Sequence, residues 1–296
     1  MAFFVMRNTY TWTLPGTVIE LGRRTAVMGI LNVTPDSFSD GGKYIDPGKA
    51  VARALELEAD GADILDVGGE SSRPGSIPIP EEEELRRVMP VVEALGGKLK
   101  IPISIDTWRS EVARRCLEAG AQIVNDISAF RFDPLMAGVV CQYRAGVVLM
   151  HSRGAREKLH TQPALSDAND AVPQVREDLK RSIGQAVEAG IPKSAIVIDP
   201  GIGFGKRAEE SLSVLRNLGA LSPLECALLV GTSRKSFIRK VARIEIEAGY
   251  SPLWGTAATV ASAVFQGAHI VRVHDVREMR TLVDVLDAIA DQGISP

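Results

Sequence analysis

Cysteine is scarce in this chain. Cys116, Cys141 and Cys226 are odd in number and far apart, and no Cys-x-x-Cys pair occurs. That excludes a disulfide framework and a zinc knuckle, and leaves each cysteine as a small buried hydrophobe. Aromatic residues make up only 5% of the 296 positions. Ala, Val, Ile, Leu and Gly are plentiful instead, a balance common in α/β enzymes. The net charge of −3 argues against nucleic acid as a partner. No apolar run approaches the roughly 18 residues that a membrane span requires, so no membrane partner is expected. The apolar start, Phe3 to Met6, is too short for a signal-peptide core and lacks a basic lead-in. The chain reads as soluble, reduced and cytoplasmic. No Gly-x-Gly-x-x-Gly follows the first apolar run, and neither a Ser-His-Asp order nor a His-x-x-x-His pair stands out.

What is present is a repeated pattern. A short apolar run from Ala26 to Leu31 switches abruptly to Asn32, Thr34, Pro35, Asp36, Ser37, Ser39, Asp40, Gly41 and Gly42, with Phe38 among them. A plain connection is shorter and blander. Polar, glycine-hinged loops straight after a strand are where binding and catalysis concentrate. From about residue 25 onward the chain repeats this arrangement, with β-rich runs at 26–32, 63–67, 101–106, 122–125, 146–151, 195–199, 227–231 and 269–273. Between them, stretches such as 51–59 and 111–119 place apolar residues at helical spacing. Gly61, Gly120 and Gly190 stand where helix C-termini belong. Alternation of strand and helix implies a parallel sheet. Eight units match a closed (β/α)8 TIM barrel of about 250 residues; an open doubly wound sheet is the alternative. The whole chain, 1–296, reads as a single barrel domain. Its first 25 residues, with Tyr10, Trp12 and Leu14 alternating before Pro15-Gly16, read as an N-terminal β-hairpin that lids the barrel. A long polar loop spans about 152–170, and lengths beyond about 15 residues are usually functional or disordered.

In such a barrel the active site lies at the C-terminal ends of the strands. That rule turns the polar strand ends into one list: Asn32, Asp66, Asp106, Asn125, His151, Asp199, Lys235, Arg272 and His274. The run Asp199-Pro-Gly-Ile-Gly-Phe-Gly-Lys206 lets a flat ligand or a phosphate approach the backbone closely, unless it is only a sharp turn. A carboxylate at a strand end accepts two parallel hydrogen bonds from an amino-plus-ring-NH edge, as in guanine or a pterin. Asp106 and Asn125 are further edge readers, although Asp106 also reads as a helix N-cap before Trp108. Gly231-Thr-Ser-Arg-Lys-Ser-Phe237 opens a helix after the seventh run, where Ser236 and Lys235 suit a carboxylate or phosphate. The alternative there is a capped surface helix. Arg272 and His274 share a face by period-two spacing and read as a phosphate clamp.

These residues carry a resemblance. Met28-Gly-Ile-Leu-Asn-Val-Thr-Pro-Asp-Ser-Phe-Ser-Asp-Gly-Gly42 resembles the first signature of the dihydropteroate synthase family. Asp66-Val-Gly-Gly-Glu-Ser-Ser-Arg-Pro-Gly75 resembles the second. Six further matches, at 105–107, 125–127, 150–151, 199–205, 233–236 and 272–275, follow in order. The resemblance implies a pterin-binding barrel. It would join 6-hydroxymethyl-7,8-dihydropterin diphosphate to p-aminobenzoate, releasing pyrophosphate, by an SN1-like path with Mg2+ as cofactor. It implies a pterin site of Asp106, Asn125, Met150, Asp199, Gly203, Phe204 and Lys235. The diphosphate would meet Asn32, Ser72, Arg73, Arg272 and His274, with Asn32 as the metal ligand. The p-aminobenzoate pocket would comprise Phe38, Arg73, Pro74, Lys235 and Ser236. The catalytic set would be Asn32, Asp106, Asp199, Lys235, Arg272 and His274, in a homodimer.

Two departures from the family pattern are visible. Ser72 replaces the usual Thr, and Ile202 replaces a common Phe, which predicts slightly looser pterin stacking. No insertion follows Phe38, so sulfonamide sensitivity is expected. The rival readings are a pterin-dependent methyltransferase and a non-catalytic pterin or phosphate binder. The first should lack the motifs around Phe38 and Lys235, and the second should have lost Asn32, Lys235 or Arg272.

Overall fold

Short apolar strands can bury both faces only if helices cover one side and a closed interior covers the other. The chain achieves this in a computed structural model. The structure describes residues 7–34, 46–71, 76–154, 171–242 and 251–290. Phe38, Ser72, Arg73, Pro74 and most of the 152–170 loop lie outside those segments.

Strands β1 (Tyr10–Leu14) and β2 (Thr17–Leu21) form the expected antiparallel hairpin. The remaining strands are β3 (Ala26–Asn32), β4 (Ile64–Gly68), β5 (Ile103–Asp106), β6 (Ile123–Asp126), β7 (Gly146–Met150), β8 (Ile196–Asp199), β9 (Ala227–Val230) and β10 (Ile270–Val273). They are all parallel and form one closed barrel, with β10 pairing both β9 and β3. Closure rules out the open doubly wound sheet. The described helices are α1 (Pro47–Ala59), α2 (Glu81–Leu95), α3 (Ser110–Glu118), α4 (Met136–Tyr143), α5 (Val172–Glu188), α6 (Ala208–Arg216), α7 (Ser236–Ala242), α8 (Leu253–Phe265) and α9 (Val276–Ala290). None is long and apolar enough to cross a membrane.

Strand parity divides the core in two. Val27, Leu31, Leu65, Val67, Ile105, Val124, Val147, Leu149, Ile198, Val271 and Val273 face outward and pack under the helices. Met28, Ile64, Ile123, Val148, Val197, Leu229 and Ile270 face inward and meet Trp12, Leu14 and Leu21 of the hairpin. The hairpin therefore seals the floor of the barrel, as the alternation of its residues predicts. Trp12 Nε1 donates to the Ala195 carbonyl at 2.9 Å. Gly146 opens β7 where a Cβ would lie only 2.3 Å from Leu14 Cδ2, so the plug needs glycine at that point.

Helix starts depart from the sequence reading once. Asp106 does not cap α3, which begins at Ser110, where the Asp133 carboxylate accepts the Ser110 N–H at 2.8 Å. Asp106 lies on an inward register position instead, level with Gly68 and Asn125.

Candidate active site

With the floor occupied by apolar side chains, the inward positions one layer higher carry polar ones. Cross-strand register aligns Asn32 with Gly68, Gly68 with Asp106, and Asp106 with Asn125. Met150 stands level with Asp199 across β7 and β8. The same parity brings Arg272 of β10 across the mouth. Its Nε donates to Asp66 Oδ2 and its Nη2 to Asp106 Oδ2, both at 2.6 Å. Asn125 Nδ2 donates to the same Asp66 oxygen at 3.1 Å. These residues, scattered over more than 200 positions of sequence, form one connected cluster.

Electrostatics at the mouth follow from burial. Desolvation pushes the Asp106 carboxyl up to about 7, against the pull of Arg272 and with the repulsion of Asp66. Desolvation likewise raises the Asp199 carboxyl, although Lys235 lies close and the Gly201 N–H donates to it at 2.6 Å. The Lys235 ammonium is lowered to about 8, chiefly by burial, with Asp199 opposing and Arg272 adding repulsion. An amine and carboxyls brought towards neutral pH in one cleft are the mark of a functional site.

The loop after β8 forms one wall. Gly201, Gly203 and Gly205 take φ of 64°, 81° and 63°, a left-handed run that other residues rarely adopt. It places the Phe204 ring 4.5 Å from Lys235 Nζ, and that ammonium also donates to the Ile202 carbonyl. A Cβ on Gly203 would press on Lys235 Cδ at 3.3 Å. The Ile202 side chain is fully buried in the outer core. Only its carbonyl meets the site.

Lys235 is aimed by an unusual backbone. Arg234 takes φ of 59°, a costly conformation for a non-glycine residue. Its N–H donates to Thr256 Oγ1 at 3.1 Å, and its guanidinium pairs with Asp275. Ser236 is the exposed first residue of α7. His274 shares a hydrogen bond with Ser233 Oγ through Nδ1 at 2.9 Å.

His151 does not belong to the cluster. Odd positions of β7 face outward, and His151 continues that parity into the helix layer. Its Nε2 meets Asp178 of α5 at 3.2 Å and its Nδ1 meets Lys206 Nζ at 2.8 Å. The convergence expected of all the polar strand ends thus fails at this one. Lys206, which the sequence reading left without a task, is buried and donates to the Gly201 carbonyl at 2.8 Å, holding the glycine loop from behind. A lysine closing a glycine-rich turn was the available signal. Asp66, one of the polar strand ends, meets Arg272 and Asn125, whereas nothing in the sequence marks the left-handed Arg234.

Among the described residues no group of three or more His, Cys, Asp and Glu is placed to hold a metal. Asn32 nevertheless brings an amide oxygen to the end of β3, beside a gap left by Gly68. A Cβ there would sit 3.9 Å from Asn32 Oδ1 and 3.6 Å from Asp106 Oδ2. One hard oxygen with room beside it suits Mg2+, which keeps several waters and takes other oxygens from phosphates.

The chain matches the family described as Pterin binding enzyme over residues 28–274. It is 45% identical over 273 residues to the dihydropteroate synthase of Synechocystis sp., covering 92% of this chain and 93% of that one. The structure of the Clostridium difficile enzyme with pteroic acid superposes with a TM-score of 0.82 at 43% identity, over 91% of this chain and 98% of the other. The Xanthomonas albilineans dihydropteroate synthase with 4-aminobenzoic acid gives 0.84 at 39% identity, over 98% and 100%. Near-complete coverage at such identity, on a barrel whose mouth gathers these carboxylates and cations, makes this chain an enzyme of the dihydropteroate synthase family.

Proposed function

We propose that the barrel mouth binds 6-hydroxymethyl-7,8-dihydropterin diphosphate and p-aminobenzoate and joins them into 7,8-dihydropteroate. The observation that carries this reading is the meeting of Asp106, Asn125 and Asp199 from three strands with Arg272 and Lys235 in one cluster at the barrel mouth, buried at Asn125 and Asp199 and half-buried elsewhere. Acceptors on several strands suit the amino and ring N–H groups of a pterin, and two cations suit an anionic leaving group. Met150, Gly203 and Phe204 supply the walls that sandwich the flat ring. Arg272 and His274, with Asn32, Ser72 and Arg73, receive the diphosphate. Phe38, Arg73, Pro74, Lys235 and Ser236 hold the p-aminobenzoate.

The chemistry asks little of a protein base. The C–O bond between the pterin methylene carbon and the diphosphate breaks, and its electron pair leaves with pyrophosphate. The arylamine nitrogen supplies the new C–N bond and then loses a proton. The ionised pterin is a stabilised cation, so the path is SN1-like and forms no covalent link to the enzyme. Positioning the amine and excluding water matter most. Asn32 would hold Mg2+, which when bound neutralises developing charge on the leaving phosphates. The chain acts in the cytoplasm as a homodimer, each copy a single barrel with its hairpin.

The test is pyrophosphate release by purified protein with the pterin diphosphate and Mg2+, with and without p-aminobenzoate. Release that depends on p-aminobenzoate, with dihydropteroate in the product, supports the reading. Pterin binding with no release points to a non-catalytic binder. A sulfonamide should compete with p-aminobenzoate; failure to inhibit at millimolar concentration refutes the assigned amine pocket.

A further inference from the structure

Asp66 sits at the centre of the mouth with no role in the reaction above. It is fully buried on β4, two strands from β10 on one side and two from β6 on the other. Its Oδ2 accepts from Arg272 Nε at 2.6 Å and from Asn125 Nδ2 at 3.1 Å. Its Oδ1 has no hydrogen-bond partner among the described residues. One carboxylate oxygen thus carries the contacts to two residues of the site.

An ionised carboxylate can only accept. The Asn125 amide therefore turns its NH2 side to Asp66, which fixes the position of its oxygen as the acceptor for a ligand and commits one of its two N–H donors. An unconstrained amide presents either end with little preference, so it distinguishes poorly between a donor and an acceptor. Arg272 is fixed in the same way. Its Nε is committed to Asp66 and its Nη2 to Asp106, which sets the plane of the guanidinium.

We infer that Asp66 is a positioning residue that sets the donor–acceptor polarity of the heterocycle pocket. By holding the Asn125 NH2 it makes the pocket select an amino group over a carbonyl at the same ring position. The inference rests on the pterin reading given above. It concerns recognition alone, because Asp66 touches Asn125 and Arg272 rather than the reacting atoms.

The test uses calorimetry with two probes, 6-hydroxymethylpterin and 6-hydroxymethyllumazine, which carries a carbonyl in place of the amino group. The wild-type protein is expected to prefer the pterin by well over tenfold, since a site built to pair with a donor rejects an analogue that lacks it. Asp66→Ala frees the Asn125 amide to turn, and the preference should fall about tenfold, the equivalent of one lost oriented hydrogen bond. Asp66→Asn, almost unchanged in size, still offers Arg272 an oxygen but can also donate to Asn125. There the preference should fall less, by about threefold. If Asp66→Ala does not fold, Asp66→Asn decides. A folded variant that loses affinity for both probes in equal proportion, with the ratio intact, overturns the inference and leaves Asp66 as an ion-pair partner only. A wild-type protein that binds the pterin without preferring it overturns the inference while the pterin reading stands. A wild-type protein that binds neither probe removes both.

Discussion

Replacing Lys206 by methionine tests how the glycine wall is held. Methionine fills nearly the same volume without an ammonium, so packing changes little. In the structure Lys206 Nζ donates to the Gly201 carbonyl and meets His151 Nδ1, each at 2.8 Å, in a pocket where the lysine is only 4% exposed. His151 Nδ1 would be orphaned, while the Gly201 carbonyl would keep only the Phe204 N–H at 3.1 Å; a buried acceptor without a donor costs about 1–3 kcal/mol. Removing the ammonium also removes the penalty for burying it, which offsets part of that loss. The burial cost is large, since desolvation lowers Lys206 well below its usual range. A net loss of about 1–2 kcal/mol follows, which lowers Tm by roughly 2–4 °C for a chain of this size. The left-handed run at Gly201, Gly203 and Gly205 loses its rear support, and with it the Ile202 carbonyl and Phe204 ring that locate Lys235. The KM for the pterin diphosphate should therefore rise by about tenfold, with a smaller fall in kcat. Thermal melts and steady-state rates with each substrate varied in turn measure both effects. A variant that melts within about 1 °C of wild type, with an unchanged pterin KM, refutes the claim that Lys206 holds this wall.

Burial lowers His151 and His269 to about 4 from an ordinary 6.5, so each adds stability that is present above pH 6.5 and lost as pH falls through about 4. That is about 3 kcal/mol per histidine, opposed by the raised carboxyls of Glu84, Asp106, Asp126 and Asp199; the Tm advantage of wild type over His151→Asn should therefore shrink as pH falls from about 6.5 to about 4. Trp12→Ala should cost about 3–5 kcal/mol by emptying the barrel floor. Activity of the folded fraction should survive, because Trp12 packs on the inward apolar layer and Ala195 rather than on the mouth; a large kcat loss at unchanged Tm would contradict the plug. Asp199→Asn keeps an oxygen for the Gly201 N–H but removes a carboxylate whose burial outweighs its attraction to Lys235. It should melt no lower than wild type at neutral pH while losing most activity, and a fall of several degrees would show that the pairing with Lys235 prevails.

Much of this architecture is legible in the residues because two periodicities agree. The short β-rich runs fix where strands lie, and helical spacing between them fixes the parallel connections. The hairpin is read from alternation of Tyr10, Trp12 and Leu14, and the structure seats Trp12 and Leu14 in the floor. What could not be read is which strand end looks inward. Asn125 and His151 each close an apolar run, yet Asn125 joins the mouth and His151 joins the helix layer. A single residue of register separates these outcomes, since side chains alternate between faces. The placement of Ile202 was hidden for a related reason. In a loop with φ positive on both sides of it, the side chain and the carbonyl point to different neighbours, and only the carbonyl serves the site.

Register also explains why the site and the core share strands without conflict. Val67 and Ile105 fill the outer core while their neighbours Asp66 and Asp106 face the mouth, so one strand supplies packing and chemistry on opposite faces. The buried charges of the mouth are costly, and burial has displaced the Asp106 and Asp199 carboxyls from their ordinary range in the direction that disfavours ionisation. A site selected for stability alone would replace them with apolar residues. They persist on rigid strands, where their separation is set by register rather than by loop motion, and that is the requirement for reading a flat heterocycle edge. The cost is borne by the outward layer, whose aliphatic residues are buried almost without exception. Substitutions in that layer should therefore act on Tm, and substitutions one residue away on recognition.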